Sequence, residues 1–196
     1  MNVPNKLTLS RLVLTVFFLV ALLIEFPWHT TVALALFVVA SLTDFYDGKI
    51  ARRDNLITNF GILMDPLADK ILTCSAFIAF VELNEIQAWM AVLIVARELA
   101  ITGLRLLAVS KNAVLAADAW GKQKTIWQII AIISILVVLS YQSWPFVGEA
   151  VFGWGFAGKA WSVWFRDLSI WVTVALTAIS GWLYLWRNRE IYLSDM

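Results

Sequence analysis

The sequence predicts an all-α polytopic membrane protein with six transmembrane helices and a polar site near the cytoplasmic face. Hydrophobic residues make up 61% of its 196 residues, and charged residues make up only 15%. Soluble domains are much less apolar than this. Apolar stretches long enough to cross a bilayer recur along the whole chain, and aspartates interrupt two of them. We therefore expect a single domain over residues 1–196.

Hydropathy divides the chain into six spans that are separated by polar or turn-forming residues. The predicted spans are residues 7–26, 29–53, 59–82, 87–109, 120–141 and 164–187. The first span follows Lys6 and Arg11 and so imitates a signal peptide. An Ala-x-Ala sequence, typical of a cleavage site, follows at Ala33 and Ala35. Cleavage there would cut into the second span. We therefore interpret the first span as an uncleaved helix.

The distribution of basic residues predicts that both termini lie in the cytoplasm. With the N-terminus inside, eleven lysines and arginines fall on the cytoplasmic side, whereas Lys159 and Arg166 alone fall outside. The tryptophans cluster near the span ends, as aromatic belts do. Residues 142–163 are rich in glycine and aromatic residues, and we interpret them as an outer loop in the membrane interface. Binding of a partner is the alternative role for this loop.

Eight residues within the second and third spans form a spaced pattern. The pattern is Asp44-x2-Asp47-Gly48-x2-Ala51-Arg52-x8-Gly61-x3-Asp65-x3-Asp69. Asp44 and Asp47 share one helix face at i,i+3, and Asp65 and Asp69 share another at i,i+4. A rise of about 1.5 Å per residue places all four at one depth below the cytoplasmic surface.

Four carboxylates in apolar helices are costly, and at close range they repel one another. Two shared divalent cations, Mg²⁺ or Mn²⁺, would keep them charged, and such a pair of ions suits displacement at phosphorus. Taken singly, each acid also has a structural interpretation. Asp44 and Asp47 could mark a helix end in water, and Asp69 could pair locally with Lys70. The spacing and common depth of the set favour the metal site.

The pattern resembles the signature of the CDP-alcohol phosphotransferases, and the six-span layout is similar to that family over nearly the whole chain. The resemblance implies that Asp44, Asp47, Asp65 and Asp69 hold two metal ions, and that Asp69 is also the catalytic base. It implies a homodimer as well. The residues that it implies along CDP-diacylglycerol are Thr8, Gly48, Ala51, Arg52, Thr58 and Gly61, of which Thr8 and Thr58 are looser matches. Thr8 could instead cap a helix turn, and Arg11 could anchor a headgroup.

A set of basic residues near the acids suggests an acceptor that carries its own phosphate. The set is Arg97, Arg105, Lys122 and Lys124. For the two lysines a topological signal is the alternative, and for Arg97 the alternative is a pair with an intramembrane acid. Three short stretches resemble a bacterial branch of the family that uses glycerol 3-phosphate. They are residues 3–8 with Arg11, residues 96–105 and residues 121–125.

The resemblance therefore implies attack by the glycerol 3-phosphate hydroxyl on the lipid-linked phosphorus of CDP-diacylglycerol, with CMP leaving. The setting would be the bacterial inner membrane, with the active site facing the cytoplasm and no nucleic-acid partner. Inositol phosphate, serine or phosphatidylglycerol remain alternative acceptors, although the cations argue against serine. A divalent-cation transporter is the alternative from another class. The position of the acids near one face and the absence of inverted repeats argue against it.

Overall fold

The computed structural model describes residues 3–54, 59–110, 119–144, 147–156 and 158–189. In residues 3–8, 43–54, 59–69, 109–110 and 119–120 it describes the backbone and not the side chains. In chain order the elements are α1 (Val3–Leu23), α2 (His29–Asp54), α3 (Asn59–Glu82), α4 (Ala88–Ser110), α5 (Ala119–Ser140), a 3-10 turn (Tyr141–Ser143), α6 (Val147–Phe152), β1 (Gly155–Phe156), β2 (Lys159–Ala160) and α7 (Trp161–Arg187). The two short strands pair antiparallel, with Gly155 opposite Ala160 and Phe156 opposite Lys159.

The six segments predicted from hydropathy coincide with the six long helices, so the helical fold class is confirmed. The largest difference is at the N-terminus, where α1 begins at Val3 rather than at residue 7. Hydropathy marks only the apolar part of a helix, whereas polar residues such as Asn5 and Lys6 can still adopt helical geometry. Residues 142–163, predicted as a loop, contain α6 and the strand pair.

Three connections of the chain meet at one end of the helices, which we call the aromatic end (residues 24–31, 83–87, 139–144, 147–156 and 158–166). The indole Nε1 of Trp144 donates to Thr31 Oγ1 at 2.9 Å, which ties the end of α5 to the start of α2. Arg166, at the start of α7, donates to Glu85 between α3 and α4 at 2.7 Å. The connections before α2 and before α4 are short, so these helices run antiparallel to their predecessors.

The long helices pack in a closed ring. Helix α1 contacts α2 and α3, α2 contacts α5, α5 contacts α7, α7 contacts α4, and α4 returns to α3. Fully buried aromatic rings fill the centre, with Phe18 of α1 and Phe37 of α2 at a centroid distance of 5.7 Å. Phe77 and Phe80 of α3 pack edge to face beside them. This core fixes α2 and α3, which carry the predicted metal ligands.

Helix α7 buries its small hydroxyl residues and turns its large apolar residues outward. Ser169 Oγ lies 2.9 Å from Ser134 Oγ of α5, and the hydroxyl of Thr173 donates to the carbonyl of Trp127 at 2.9 Å. On the outward face Trp182 is 68% exposed and Trp171 is 57% exposed. A helix of a soluble protein has the opposite polarity. Small and hydroxyl residues between helices, with large apolar residues outside, are typical of membrane bundles.

Among the described residues, two helical stretches are long and apolar enough to cross a membrane: Gly121–Ser143 and Trp161–Arg187. Leu9–Leu23 and His29–Leu42 are shorter apolar stretches. Helices α2, α3 and α4 reach bilayer length but contain the charged residues of interest, which lowers their apolar content. Together with the outward face of α7, these features indicate a membrane protein.

Candidate active site

The four predicted metal ligands lie on two neighbouring segments of the chain. Asp44 and Asp47 are in the second half of α2, and Asp65 and Asp69 are in the first half of α3. At about 1.5 Å per residue, the first pair lies roughly 22–27 Å from the start of α2, and the second lies roughly 20–26 Å from the end of α3. Both of those helix ends are at the aromatic end. The helices therefore bring the four backbone positions to one level, far from the aromatic end.

The carboxylates themselves, like the side chains of Ala51 and Arg52, lie outside the described side chains. Gly48 and Gly61 are helical in α2 and α3, whereas Thr58 is outside the described residues and Thr8 is described in backbone only. Helix α3 continues through Pro66. A proline inside a helix removes one backbone donor, which leaves the carbonyl four residues earlier without its usual partner.

The donor set fits a hard divalent cation. Carboxylate oxygens are the ligands that Mg²⁺ and Mn²⁺ prefer, and the i,i+3 and i,i+4 spacings are retained because both segments are helical. Among the side chains that the structure describes, no group of three or more His, Cys, Asp or Glu residues could hold a metal ion. The aspartates of α2 and α3 thus remain the candidate metal ligands.

A buried carboxylate, Glu98 of α4, binds cations from three helices. Its Oε2 lies 2.6 Å from Lys70 Nζ of α3, and its Oε1 pairs with Lys124 of α5. Arg97 Nη1 lies 3.4 Å from the same Oε1, and Gln128 Nε2 donates to it at 3.5 Å. The side chains of Glu98 and Lys124 are each 1% exposed. Because its members belong to α3, α4 and α5, the cluster connects these three helices. Removing one partner of a buried ion pair typically lowers the free energy of unfolding by about 3–5 kcal/mol.

Arg97 is held on its other side by α7. Its Nη2 donates to Ser180 Oγ at 3.3 Å. Its aliphatic stem lies against Gly181, where an added Cβ would be 2.9 Å from Arg97 Cγ. The missing side chain at Gly181 therefore makes room for the arginine. Its Nε is buried and has no hydrogen-bond partner among the described residues.

The other two predicted acceptor cations are more accessible. Arg105 is exposed, two turns beyond Arg97 on α4, and its Nε donates to the Tyr184 hydroxyl of α7 at 3.4 Å. Its guanidinium carbon also lies 5.9 Å from the centroid of the Tyr184 ring. Lys122 is exposed at the start of α5. Arg105 lies roughly 25 Å from the start of α4, which is the level of the aspartates, whereas Glu98 lies only about 15 Å from it.

Arg11 of α1 is 7% exposed, so its side chain is enclosed by the protein. The hydroxyl of Thr15 donates to the Arg11 carbonyl at 2.9 Å, one helical turn away. The interpretation of Arg11 as an anchor for lipid headgroups predicts an exposed side chain. The enclosed position of Arg11 does not agree with that interpretation.

Sequence reasoning missed the cluster around Glu98. The sequence suggested Asp69 as a local partner of Lys70. The structure shows Lys70 paired with Glu98, and the side chain of Asp69 lies outside the described side chains. Gln128 was not considered. The available signal was Glu98 itself, because an acid inside an apolar helix needs cationic partners. The possibility that Arg97 pairs with an intramembrane acid agrees with its contact to Glu98.

Known proteins similar to this chain agree on one family. The sequence model of the CDP-alcohol phosphatidyltransferase family matches residues 1–179. The CDP-diacylglycerol–glycerol-3-phosphate 3-phosphatidyltransferase of Bacillus subtilis is 41% identical over 202 residues, which cover 96% of each chain. The protein of the same name from Rickettsia bellii is 33% identical over 97% of each chain. A probable phosphatidylglycerophosphate synthase of Mycobacterium tuberculosis is 43% identical over 71% of this chain and 68% of its own length. With a family match over most of its length and relatives of this similarity from end to end, the chain belongs to the CDP-alcohol phosphatidyltransferase family.

Proposed function

We propose that this membrane enzyme transfers the phosphatidyl group of CDP-diacylglycerol to the hydroxyl of sn-glycerol 3-phosphate. The products are phosphatidylglycerophosphate and CMP. The observation that carries the proposal is the aspartate pattern of α2 and α3, within a chain similar from end to end to relatives named for this reaction. Membership in an enzyme family argues against the cation-transporter alternative.

Asp44, Asp47, Asp65 and Asp69 would hold two divalent cations, Mg²⁺ or Mn²⁺. When bound, the two ions would neutralise the charge that develops on the attacking and leaving oxygens. Asp69 would accept the proton of the acceptor hydroxyl. Gly48 and Gly61 lack a side chain, and this would let the cytidine diphosphate approach the backbone closely, with the other predicted contacts Thr8, Ala51, Arg52 and Thr58 around it.

The cationic set would bind the phosphate of the acceptor. Arg105 supports this role because it is exposed at the level of the aspartates and is oriented by Tyr184. Lys122 is exposed two residues before Lys124. The Nε of Arg97 is a hydrogen-bond donor without a partner among the described residues. Lys124 would act from its buried position beside Glu98. A guanidinium can bind phosphate through two parallel hydrogen bonds, which suits recognition of a phosphorylated acceptor.

The proposed setting is a bacterial inner membrane that the six long helices cross. Both termini and the active site would face the cytoplasm, and two copies would form a homodimer. The lysine and arginine distribution supports the orientation. The aromatic end would then lie at the outer interface, where Trp144 and Trp164 suit an aromatic belt.

The test is an assay of purified protein in lipid nanodiscs with CDP-diacylglycerol and a panel of acceptors. The panel contains glycerol 3-phosphate, glycerol, serine, inositol phosphate and phosphatidylglycerol, and both CMP release and the lipid product are measured. We expect phosphatidylglycerophosphate to form only with glycerol 3-phosphate and a divalent cation. Excess EDTA should abolish turnover, and added Mg²⁺ or Mn²⁺ should restore it. Preference for another acceptor, or full activity in EDTA, would overturn the corresponding part of the proposal.

A further inference from the structure

Two of the four predicted acceptor cations converge on Glu98, a residue without a predicted role. Arg97 and Lys124 both contact Oε1, and Lys70 contacts Oε2. Three positive charges thus surround one negative charge, which leaves an excess of two positive charges on these four side chains. Like charges brought this close in an apolar protein repel one another strongly, so the carboxylate is required to hold them together.

We infer that Glu98 is a positioning residue that orients Arg97 and Lys124 toward the phosphate of the acceptor. The inference rests on the proposed function, because it concerns the same acceptor site. Glu98 carries a negative charge, as the phosphate of the acceptor does, so it acts through the cations and is not itself a ligand of the phosphate.

The geometry supports this role for Arg97 in particular. Glu98 binds Nη1 and Ser180 binds Nη2, so the guanidinium plane is fixed from two sides. The Nε donor stays without a partner among the described residues and can bind an anion. Lys124 has three ammonium hydrogens, and one bond to Glu98 leaves two of them for other acceptors. The excess of two positive charges matches a phosphate monoester, which carries nearly two negative charges near neutral pH.

A purely structural role for Glu98 is the competing explanation, since the cluster also ties three helices together. The two roles differ in which kinetic constant changes. Loss of structural support lowers the amount of active enzyme and affects both substrates equally. Loss of orientation raises the KM for glycerol 3-phosphate and leaves the KM for CDP-diacylglycerol nearly unchanged, because only the acceptor uses these cations.

The experiment compares Glu98→Gln and Glu98→Asp with a matched control, Glu85→Gln. Glu85 is also a carboxylate paired with an arginine, but its side chain is 16% exposed and it lies at the aromatic end. Each variant is purified in nanodiscs, and both KM values, kcat and the melting temperature are measured. Glu98→Gln should raise the KM for glycerol 3-phosphate about tenfold, the effect of losing one hydrogen bond from a charged group to phosphate. Glu98→Asp keeps the charge and should recover part of the affinity.

Combination with Lys124→Met tests whether Glu98 acts through the cations. If it does, Glu98→Gln should raise the KM for glycerol 3-phosphate less in the Lys124→Met background than in the wild type. Glu85→Gln should leave both KM values unchanged even where it lowers the melting temperature. Should Glu98→Gln lack folded protein, the same comparison is made with Glu98→Asp.

Three outcomes would overturn the inference. The first is a KM for glycerol 3-phosphate within about twofold of wild type in a folded Glu98 variant, where the lost bond predicts about tenfold. The second is an equal change in both KM values, and the third is full additivity with Lys124→Met. In each case the wild type still transfers to glycerol 3-phosphate, so the proposed function stands. If the wild type does not use this acceptor, the proposed function fails first.

Discussion

Gly181 of α7 lies where the side chain of Arg97 leaves α4. A Cβ built on this glycine would be 2.9 Å from Arg97 Cγ and 3.8 Å from Arg97 Cβ. The nearer contact is below any normal carbon–carbon distance. It involves an atom close to the backbone, so the arginine cannot relieve it by moving only its guanidinium. Gly181→Ala should therefore rotate the whole Arg97 side chain and break its bonds to Ser180 and Glu98.

Gly103 of α4 provides the matched control, because a Cβ built there meets no atom within 4 Å. Both substitutions replace glycine by alanine inside a long helix, which by itself stabilises by up to about 1 kcal/mol. Overpacking of this kind costs about 1–3 kcal/mol. The difference between the two variants isolates this cost. At about 2–4 °C per kcal/mol for a chain of this size, Gly181→Ala should melt roughly 2–12 °C below Gly103→Ala.

The assay is thermal unfolding of both variants in nanodiscs, followed by tryptophan fluorescence, together with the KM for glycerol 3-phosphate. Gly103→Ala should be at least as stable as wild type and should keep its KM. Gly181→Ala should lose stability and raise the KM for the acceptor. If both variants melt at the same temperature and bind the acceptor equally well, the close contact between α4 and α7 does not hold Arg97.

Three further predictions concern single side chains. Asp69→Asn should lower kcat by about 10²–10⁴ while CDP-diacylglycerol still binds, because an amide cannot accept the proton; more than half of the wild-type kcat would exclude Asp69 as the base. Arg105→Ala should raise the KM for glycerol 3-phosphate by about 10–150-fold, with partial recovery in Arg105→Lys; a change within about twofold would remove Arg105 from the acceptor site. Burial raises the pKa of Glu85, against the opposing effect of Arg166, so the folded protein binds this proton more tightly than the unfolded chain. The stabilisation that this carboxyl group contributes is therefore fully present at a pH below the usual pKa of glutamate, and it is lost as the pH rises through the raised pKa. Glu85→Gln should make the melting temperature depend less on pH. If the melting temperatures of wild type and variant change in parallel from about pH 4 to 8, the prediction is wrong.

The helices could be predicted well because apolar length is a strong signal. The ends of α2, α3, α4 and α5 agree with hydropathy within about one residue, whereas α1 and α7 begin three or four residues earlier than predicted. Their additional turns contain polar or aromatic residues that hydropathy does not mark. The strand pair before α7 has only two residues per strand, which is too short for an alternating pattern.

The sequence alone was sufficient to place each pair of aspartates on one face of a helix. This placement depends only on helical periodicity and needs no information on how the helices pack. The partners of Glu98 were not predictable in the same way. Lys70, Glu98 and Lys124 belong to three different helices, and their contacts depend on the order in which the helices pack. A single sequence read alone gives no information on that order. Only the cost of burying Glu98 indicated that partners had to exist.

In the proposed topology, in which α3 and α4 both cross the membrane, the bond between Glu98 and Lys70 has a consequence for the insertion of the chain. An acid near the centre of a spanning helix raises the cost of insertion by about 2.5–3.5 kcal/mol. Lys70 precedes Glu98 in the chain, and only a short connection separates α3 from α4, so the two helices can enter the bilayer together as a hairpin. Their charges can then cancel before α5 enters the bilayer. Lys124 of α5 would then bind a carboxylate that Lys70 already holds, so the helices would pack in the order in which they enter the membrane.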